Sequence, residues 1–422
     1  MKVLIISHNP ITTYHNMGKT LLGLFSCFKK SDLCQLYIYP TIPDIDICNS
    51  YYRITDKDIL KSYFNFFSVK GRQIDKAQIN SNNKIFENES DADKYRTTSE
   101  LKRLIRDLMW NHSRWFNEDI KKWLKKESPD IIFIAPGDAE LIYNIGLRIA
   151  QNLSIPIITY ICDEFYFLLN KKNMVSQLRF FRLKKRIEKL MDVSSGIVAI
   201  CEEIASLYRE KFKKDTVVIM SGSRRLPKAI KNVSNPHILQ FMGNLRPNRY
   251  YSLAHIGEML DKINYEYDDN YELRIFSDER NRDILSCFDD IKSIKLMKFV
   301  SGEEYETEFS KADFFVHAES FDRQSIDLVK HSVSTKIADI LSSGIPLLSY
   351  APAEIASVSY LKRNNCAVCF TDKKDLELNL KDVLNNVELL QQIANNGIEI
   401  AKQNHNIQYN SKLLFDFMKN RI

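Results

Sequence analysis

The sequence predicts an α/β protein of two doubly wound, Rossmann-like domains. Three observations lead there. Short β-branched runs alternate with longer amphipathic stretches, this alternation occurs twice, and a polar segment without apolar periodicity separates the two sets. Unbroken apolar runs of five to seven residues between helical patterns are the mark of parallel strands buried on both faces. Two such sets mean two sheets, each with its own core.

In the first half the strand-like runs are VLIIS (3–7), QLYIY (35–39), IIFIA (131–135), IPIITYI (155–161), GIVAI (196–200) and TVVIM (216–220). In the second they are HILQFM (237–242), ELRIF (272–276), IKLMKFV (294–300), FFVHA (314–318), PLLSY (346–350) and CAVCF (366–370). The join falls in 221–236, rich in Ser, Pro, Asn and base, which gives a first domain of 1–222 and a second of 235–399. The helical tail, about 400–422, is available to pack back on the first domain. Residues 71–97 are polar and nearly periodless, and read as a long excursion.

Composition excludes several classes. The chain has 422 residues, 44% hydrophobic and 27% charged, which is ordinary for a globular protein. Its net charge of +6 is scattered among acids rather than gathered into the stripe that nucleic acid requires. No run reaches the ~18 apolar residues that span a bilayer. The start, MKVLIISHNP, is too short in apolar residues for a secretion signal and reads as a first strand. With eight cysteines in mostly apolar settings, the expectation is a cytoplasmic protein. Cys366 and Cys369 have C-x-x-C spacing, but no second pair or histidines complete a zinc site, so they read as part of a core strand.

Ligands of open α/β sheets bind beyond the carboxyl ends of the strands. The most informative such segment is STKIADILSSGIP (334–346). Ser334 is expected to cap a helix whose first N–H groups and dipole favour a phosphate, with Thr335 and Lys336 beside it. Asp339 lies five residues on, roughly 7–8 Å along the axis at ~1.5 Å per residue. That is the span from a nucleotide's diphosphate to its ribose hydroxyls. After the strand HILQFM, the loop MGNLRPNR supplies Gly243, Arg246 and Arg249, whose planar forks suit a diphosphate. Glu319 follows FFVHA, where a carboxylate faces the crevice.

In the first domain Asn16, Gly18 and Lys19 resemble the end of a phosphate loop, but Thr13 stands where its leading glycine belongs. They are expected to form a glycine loop for an anion or sugar. Asp138 and Asp163 end strands on the same side and are candidate general bases. The D-x-D pairs at Asp44–Asp46 and Asp91–Asp93 lie in polar loops, so no metal-dependent nucleotide-sugar site is expected.

These residues carry a resemblance. The stretches 241–249, 298–320 and 334–352 resemble the second domain of GT-B glycosyltransferases, most closely the retaining enzymes of glycosyltransferase family 4. That family has a basic residue after the loop glycine; here Asn244 stands there, with Arg246 substituting and Arg249 in place of the family's lysine. The second acid of its Glu-x7-Glu stretch corresponds to Asp339, five before Gly344. His331 occupies the strict position of the first acid, so 321–333 is taken as an insert and Glu319 fills that role. The resemblance implies two domains facing each other across a cleft. It also implies transfer of a sugar from a UDP- or GDP-type donor to a saccharide acceptor, lipid-linked, in bacterial capsule or lipopolysaccharide synthesis. Donor binding in the second domain, a retained anomeric configuration and no metal or other cofactor follow from it. A nucleotide-sugar epimerase using His317 and Glu319, and a catalytically silent GT-B partner, are the alternatives. A basic and aromatic stretch (Arg103, Arg106, Trp110, Arg114) admits two readings: a face at the inner surface of the plasma membrane, or a helix packed on the sheet by its tryptophans.

Overall fold

Runs such as IIFIA and FFVHA have no polar face, so they are stable only when covered on both sides. The structure places each of them so. It is a computed structural model describing residues 1–13, 16–64, 71–80, 99–167, 173–225 and 237–422. The chain forms two units, Met1–Met220 with Ile407–Ile422, and Ser221–Asn406. Of the expected join at 221–236, residues 226–236 lie outside the described residues, as do 81–97 of the expected excursion, Asp91 and Asp93 included.

The first unit holds β1 (Val3–Ser7), β2 (Leu33–Tyr37), β3 (Ser50–Arg53), β4 (Arg72–Gln73), β5 (Ile131–Ala135), β6 (Ile157–Ile161), β7 (Ser194–Ala199) and β8 (Thr216–Val218). They lie in the order β4-β3-β2-β1-β5-β6-β7-β8. All pairs are parallel except β3 with β4. β1 pairs β2 from Val3↔Leu33 to Ser7↔Tyr37 and β5 from Val3↔Ile131 to Ser7↔Ala135. The β1/β5 junction is thus the point where strand order reverses. Gln35, fully buried on β2, donates to Ser7 Oγ (2.9 Å) and Asn9 O (3.2 Å) and accepts from Ile11 N (3.1 Å). One amide thereby fixes the loop leaving β1.

Strand β3 has no counterpart in the apolar pattern, because its sequence SYYR hides its burial in aromatic hydroxyls. Tyr51 is fully buried, yet its OH accepts from Ile47 N and Cys48 N. Strand β4 and the helix Lys76–Asn80 fall where an excursion was expected.

Around this sheet lie α1 (Asn16–Leu24), α2 (Asp56–Phe64), α3 (Glu100–His112), α4 (Glu140–Leu153) and α5 (Met174–Val193). The Ser99 side chain caps α3 by accepting from Lys102 N, and Asn173 with Ser176 forms a capping box on α5. All three tryptophans are buried (Trp110 2%, Trp115 3%, Trp123 4%), which favours the second of the two readings, a helix packed by its tryptophans, over rings in a headgroup zone. Arg114 also lies beyond the end of α3, so it does not continue the face of Arg103 and Arg106. The last helix, Ile407–Lys419, belongs to the first unit. Ser411 Oγ on it donates to Leu24 O (2.8 Å) at the end of α1, and Asn410 Nδ2 to Met220 O (2.9 Å).

The second unit holds β9 (Ile238–Met242), β10 (Glu272–Phe276), β11 (Ile294–Met297), β12 (Phe314–Ala318), β13 (Leu347–Tyr350) and β14 (Val368–Phe370), in the order β11-β10-β9-β12-β13-β14, all parallel. The helices α6 (Arg249–Tyr267) and α7 (Lys336–Ser343) follow β9 and precede β13. Strand order reverses between β9 and β12. These two pair only at Phe314↔Leu239 and Phe315↔Gln240, whereas β9 stays with β10 up to Met242 and β12 with β13 up to Ala318. The sheet splits at its carboxyl edge and opens a crevice there. Cys366 is buried and Cys369 half-buried at β14, and burial pushes their thiols up to about 12 and about 11, so both are inert.

Gly18 lies inside α1, not in a loop. A Cβ on it would stand 2.4 Å from Thr12 Oγ1, 2.8 Å from Thr12 N and 2.9 Å from Pro10 O. A Cβ at Gly146 on α4 would instead meet the tip of a flexible side chain, Ile134 Cδ1, at 2.4 Å. Gly18→Ala is therefore expected to destabilise the first unit by ~1–3 kcal/mol, outweighing its gain in helix propensity. Gly146→Ala is expected to cost less, and the urea midpoints of the two variants check the order.

Candidate functional site

The crevice between β9 and β12 is lined by the loops that leave the two strands. Gly243 N donates to Phe276 O (2.9 Å), which turns the β9 exit back over β10. A Cβ at Gly243 would lie 3.6 Å from Lys336 Nζ, so the ammonium group reaches the bare backbone there. Arg249 is the first residue of α6. Its Nε and Nη2 donate to Glu319 Oε2 and Oε1 (2.7 and 2.8 Å), and its Nη1 donates to the backbone oxygens of Arg246 (2.6 Å) and Asn244 (3.3 Å). Glu319 is 4% exposed, and its backbone oxygen accepts from Ser252 Oγ (2.7 Å). A bidentate guanidinium–carboxylate pair, buried on the acid side, thus bridges the split in the sheet.

A second set of contacts braces this pair. Asn248, in left-handed backbone (φ 51°), donates through Nδ2 to Asp322 Oδ2 (3.0 Å). Asp322 also accepts from Ser320 Oγ (2.6 Å) and Ser325 N (3.0 Å). Although burial pushes its carboxyl up, these donors hold it well below the usual carboxylate range. His317, on β12 itself, is buried and kept neutral by desolvation, with Arg249 and Lys336 adding to the effect and Glu319 opposing it. Its Nε2 has no hydrogen-bond partner among the described residues. The crevice thus gathers Gly243, Arg249, Glu319 and Lys336 with His317, which the sequence offered only for the epimerase alternative, and adds Asn248 and Asp322. Asn248 and Asp322 had no signal in the sequence beyond lying in the loops after β9 and β12.

The helix α7 departs from expectation at its start. Thr335, not Ser334, flanks it, with αR backbone (φ −62°, ψ −22°), and no side chain caps it. Ser334 instead donates its N–H to Ser357 Oγ (3.2 Å) and accepts from Ile337 N (3.1 Å). No side chain therefore caps the start of α7, and one of its first N–H groups, that of Ile337, is taken up by the backbone of Ser334. Gly344 ends the helix in left-handed backbone (φ 71°). Asp339 Oδ1 accepts from Ser223 Oγ (2.6 Å), and Ser223 N donates to His405 O (2.9 Å). Arg246 is half-exposed and held by Glu279 in a bidentate pair (2.7 and 3.1 Å), beside the crevice but engaged elsewhere.

In the first unit a cavity of about 480 Å³ opens at the β1/β5 reversal point. His8 follows β1 and Asp138 follows β5, and both line it, with residues of α2, α3 and α5. Asp138 pairs with Arg103 and Arg179 (2.5 and 3.2 Å). Burial raises its proton affinity, but the two guanidinium groups outweigh it and hold the carboxyl below its ordinary range. His8 is held down to about 4, by burial first and Arg106 second, and is neutral. Arg106 Nη2 lies 3.2 Å from His8 Nε2, and Asn9 Oδ1 2.8 Å from Nδ1. Asp163 is exposed after β6 and is not part of this lining. Lys19 is exposed on α1, and the side chain of Asn16 lies outside the described residues. Of the D-x-D pairs, Asp44 accepts from Thr13 N (3.0 Å) and Asp46 pairs with Lys30, both structural contacts. Among the described residues no helix is long and apolar enough to cross a membrane.

Residues 256–416 match a family model described as glycosyl transferase-like. No curated relative matches the chain by sequence. Among solved structures, the fold is similar to that of the Anabaena protein HepE in complex with UDP, with a TM-score of 0.63, 11% identity and 100% of each chain covered. It is also similar to sucrose-phosphate synthase from Thermosynechococcus elongatus (TM-score 0.60, 10% identity, 100% of this chain and 99% of that one). WaaG, a glycosyltransferase involved in lipopolysaccharide biosynthesis, gives a TM-score of 0.57 at 11% identity, with 98% of each chain covered. The chain therefore has the GT-B fold, and it carries a glycosyl transferase-like domain that includes most of the second unit and most of the last helix.

Proposed function

We propose that the enzyme transfers a sugar from a nucleoside-diphosphate sugar to a saccharide acceptor, with the donor diphosphate seated in the β9/β12 crevice. The observation that carries this reading is that two cations meet at the β9 exit, Lys336 Nζ beside the bare backbone of Gly243 and Arg249 held on Glu319 and on the backbone oxygens of Asn244 and Arg246. As the bond from the anomeric carbon to phosphate breaks, negative charge grows on the leaving diphosphate. Arg249 and Lys336, with the positive end of α7 behind them, are fixed in advance to meet it, and such stabilisation is usually the largest single term in catalysis. Glu319 acts through Arg249 as a positioning residue, since both its oxygens are engaged there. That engagement also argues against an epimerase in which Glu319 moves a proton.

Asp339, with one oxygen held by Ser223, is assigned the ribose hydroxyls, and Arg246 a place at the donor's rim. The UDP of the HepE complex makes uridine the first base to try. The likeness to WaaG supports a role in bacterial surface polysaccharide synthesis, with a lipid-linked acceptor met at the inner face of the plasma membrane. The acceptor belongs to the first unit, where Asp138 lines the cavity and Asp163 stands beside the neighbouring strand end. Retention of anomeric configuration is carried over from the resemblance in the glycine loop and α7.

Incubation with a panel of nucleotide sugars is expected to release nucleoside diphosphate from one of them. Arg249→Ala should then lower kcat/KM by on the order of 2–4 kcal/mol, with kcat falling as well as KM rising. Unchanged kinetics would remove Arg249 from the site. Because cationic side chains and backbone N–H groups supply the countercharge, activity is expected to survive excess EDTA. Loss restored by Mg²⁺ or Mn²⁺ would overturn the metal-free assignment.

A further inference from the structure

The cavity at the β1/β5 reversal point combines two chemistries. Its interior is ionic: Arg103, Arg106 and Arg179 face Asp56, Asp107 and Asp138, with His8 neutral, Glu100 on Arg179 Nη1 (3.1 Å) and the exposed Lys102 at the mouth. Burial pushes Asp107 up to about 7, which leaves it partly uncharged at neutral pH and shifts the balance toward the three guanidinium groups. Arg179 is only 8% exposed, and its Nε has no hydrogen-bond partner among the described residues, the nearest carboxylate oxygen, of Asp107, standing at 3.9 Å. A buried cationic donor without an acceptor is costly unless something else supplies one.

The mouth is apolar. Leu60 on α2 and Ile105 on α3 line the cavity while remaining 47% and 48% exposed. One helical turn away on the same helices lie Phe64 (89% exposed) and Leu101 (52%), so the apolar strip continues outward from the rim. Tyr63 OH donates to Met109 O (2.7 Å) and locks the two helices together, which makes the strip a fixed surface. Lys57, Lys61 and Lys102 are exposed among these residues.

We propose that this cavity binds a phosphorylated amphiphile, its phosphate on Arg103, Arg106 and Arg179 and its hydrocarbon chain over Ile105, Leu60 and Phe64. The site rests on the transferase reading only for its purpose, since such a molecule would be the lipid carrier of the saccharide acceptor. Its chemistry is independent of the donor crevice.

Calorimetric titration of the whole chain with decyl phosphate, kept below its micelle concentration, tests this directly. Inorganic phosphate and decyl maltoside serve as comparators, one lacking the chain and the other the charge. Decyl phosphate is expected to bind at least tenfold more tightly than either, and Ile105→Asp and Lys102→Glu, both at exposed positions, should each weaken it several-fold without changing the melting temperature. Equal affinity for inorganic phosphate would mean a plain anion site, and equal affinity for decyl maltoside an unspecific apolar face. Either result, or no binding, overturns the proposal. A failure of the transferase reading would show separately, as absence of nucleotide-sugar turnover with decyl phosphate binding intact.

Discussion

A carboxylate as deeply buried as Glu319 is tolerable only with a cation on it, and the second unit is arranged around that requirement. Removing one partner of a buried ion pair costs about 3–5 kcal/mol, because the other charge is stranded. Arg249 answers from across the sheet split, at the first residue of α6, and its position fixes the rest of the loop. Its Nη1 holds the backbone of Asn244 and Arg246, which leaves one N–H on Nη2, while Asn248, Asp322 and Ser320 brace the opposite side. The result is a guanidinium held rigid where the sheet opens, with the Lys336 ammonium beside it.

The two units solve the same topological problem differently. In each, strand order reverses once, at β1/β5 and at β9/β12. In the first unit β1 and β5 stay paired over their full length, and the cavity is built above them by α2, α3 and α5. In the second, β9 and β12 part after two paired residues, and the opening is in the sheet itself. The first arrangement gives a chamber with an apolar rim, and the second a shallow seat of backbone and cations. An amphiphile suits the former and a diphosphate the latter.

Much of this was legible in the residues. Unbroken apolar runs located the strands, because burial on both faces leaves no room for alternation. Gly243, Arg249 and Glu319 were visible as polar or basic positions after strands, and Lys336 as one of the first residues of a helix. What the pattern concealed was pairing over long sequence separation. Nothing local shows that Arg246 faces Glu279, that Asp339 meets Ser223, or that Arg103 and Arg179 share Asp138. Strand β3 was hidden because tyrosines with internally bonded hydroxyls look polar. The tryptophans left two readings open because composition reports which rings are present, not that Trp110 bonds Asp56 and Trp123 bonds Ser50. Ser334 looked like a cap, yet its backbone is drawn to Ser357, on a helix more than twenty residues later.

The central claim is that Glu319 serves the anion seat only by holding Arg249. A double-mutant cycle on UDP affinity addresses it, using Arg249→Ala, Glu319→Gln and the pair together. If the claim holds, Glu319→Gln weakens UDP binding at least fivefold, and adding it to Arg249→Ala changes nothing further. Losses that simply add, or a Glu319→Gln enzyme that binds UDP as tightly as the wild type, would contradict it.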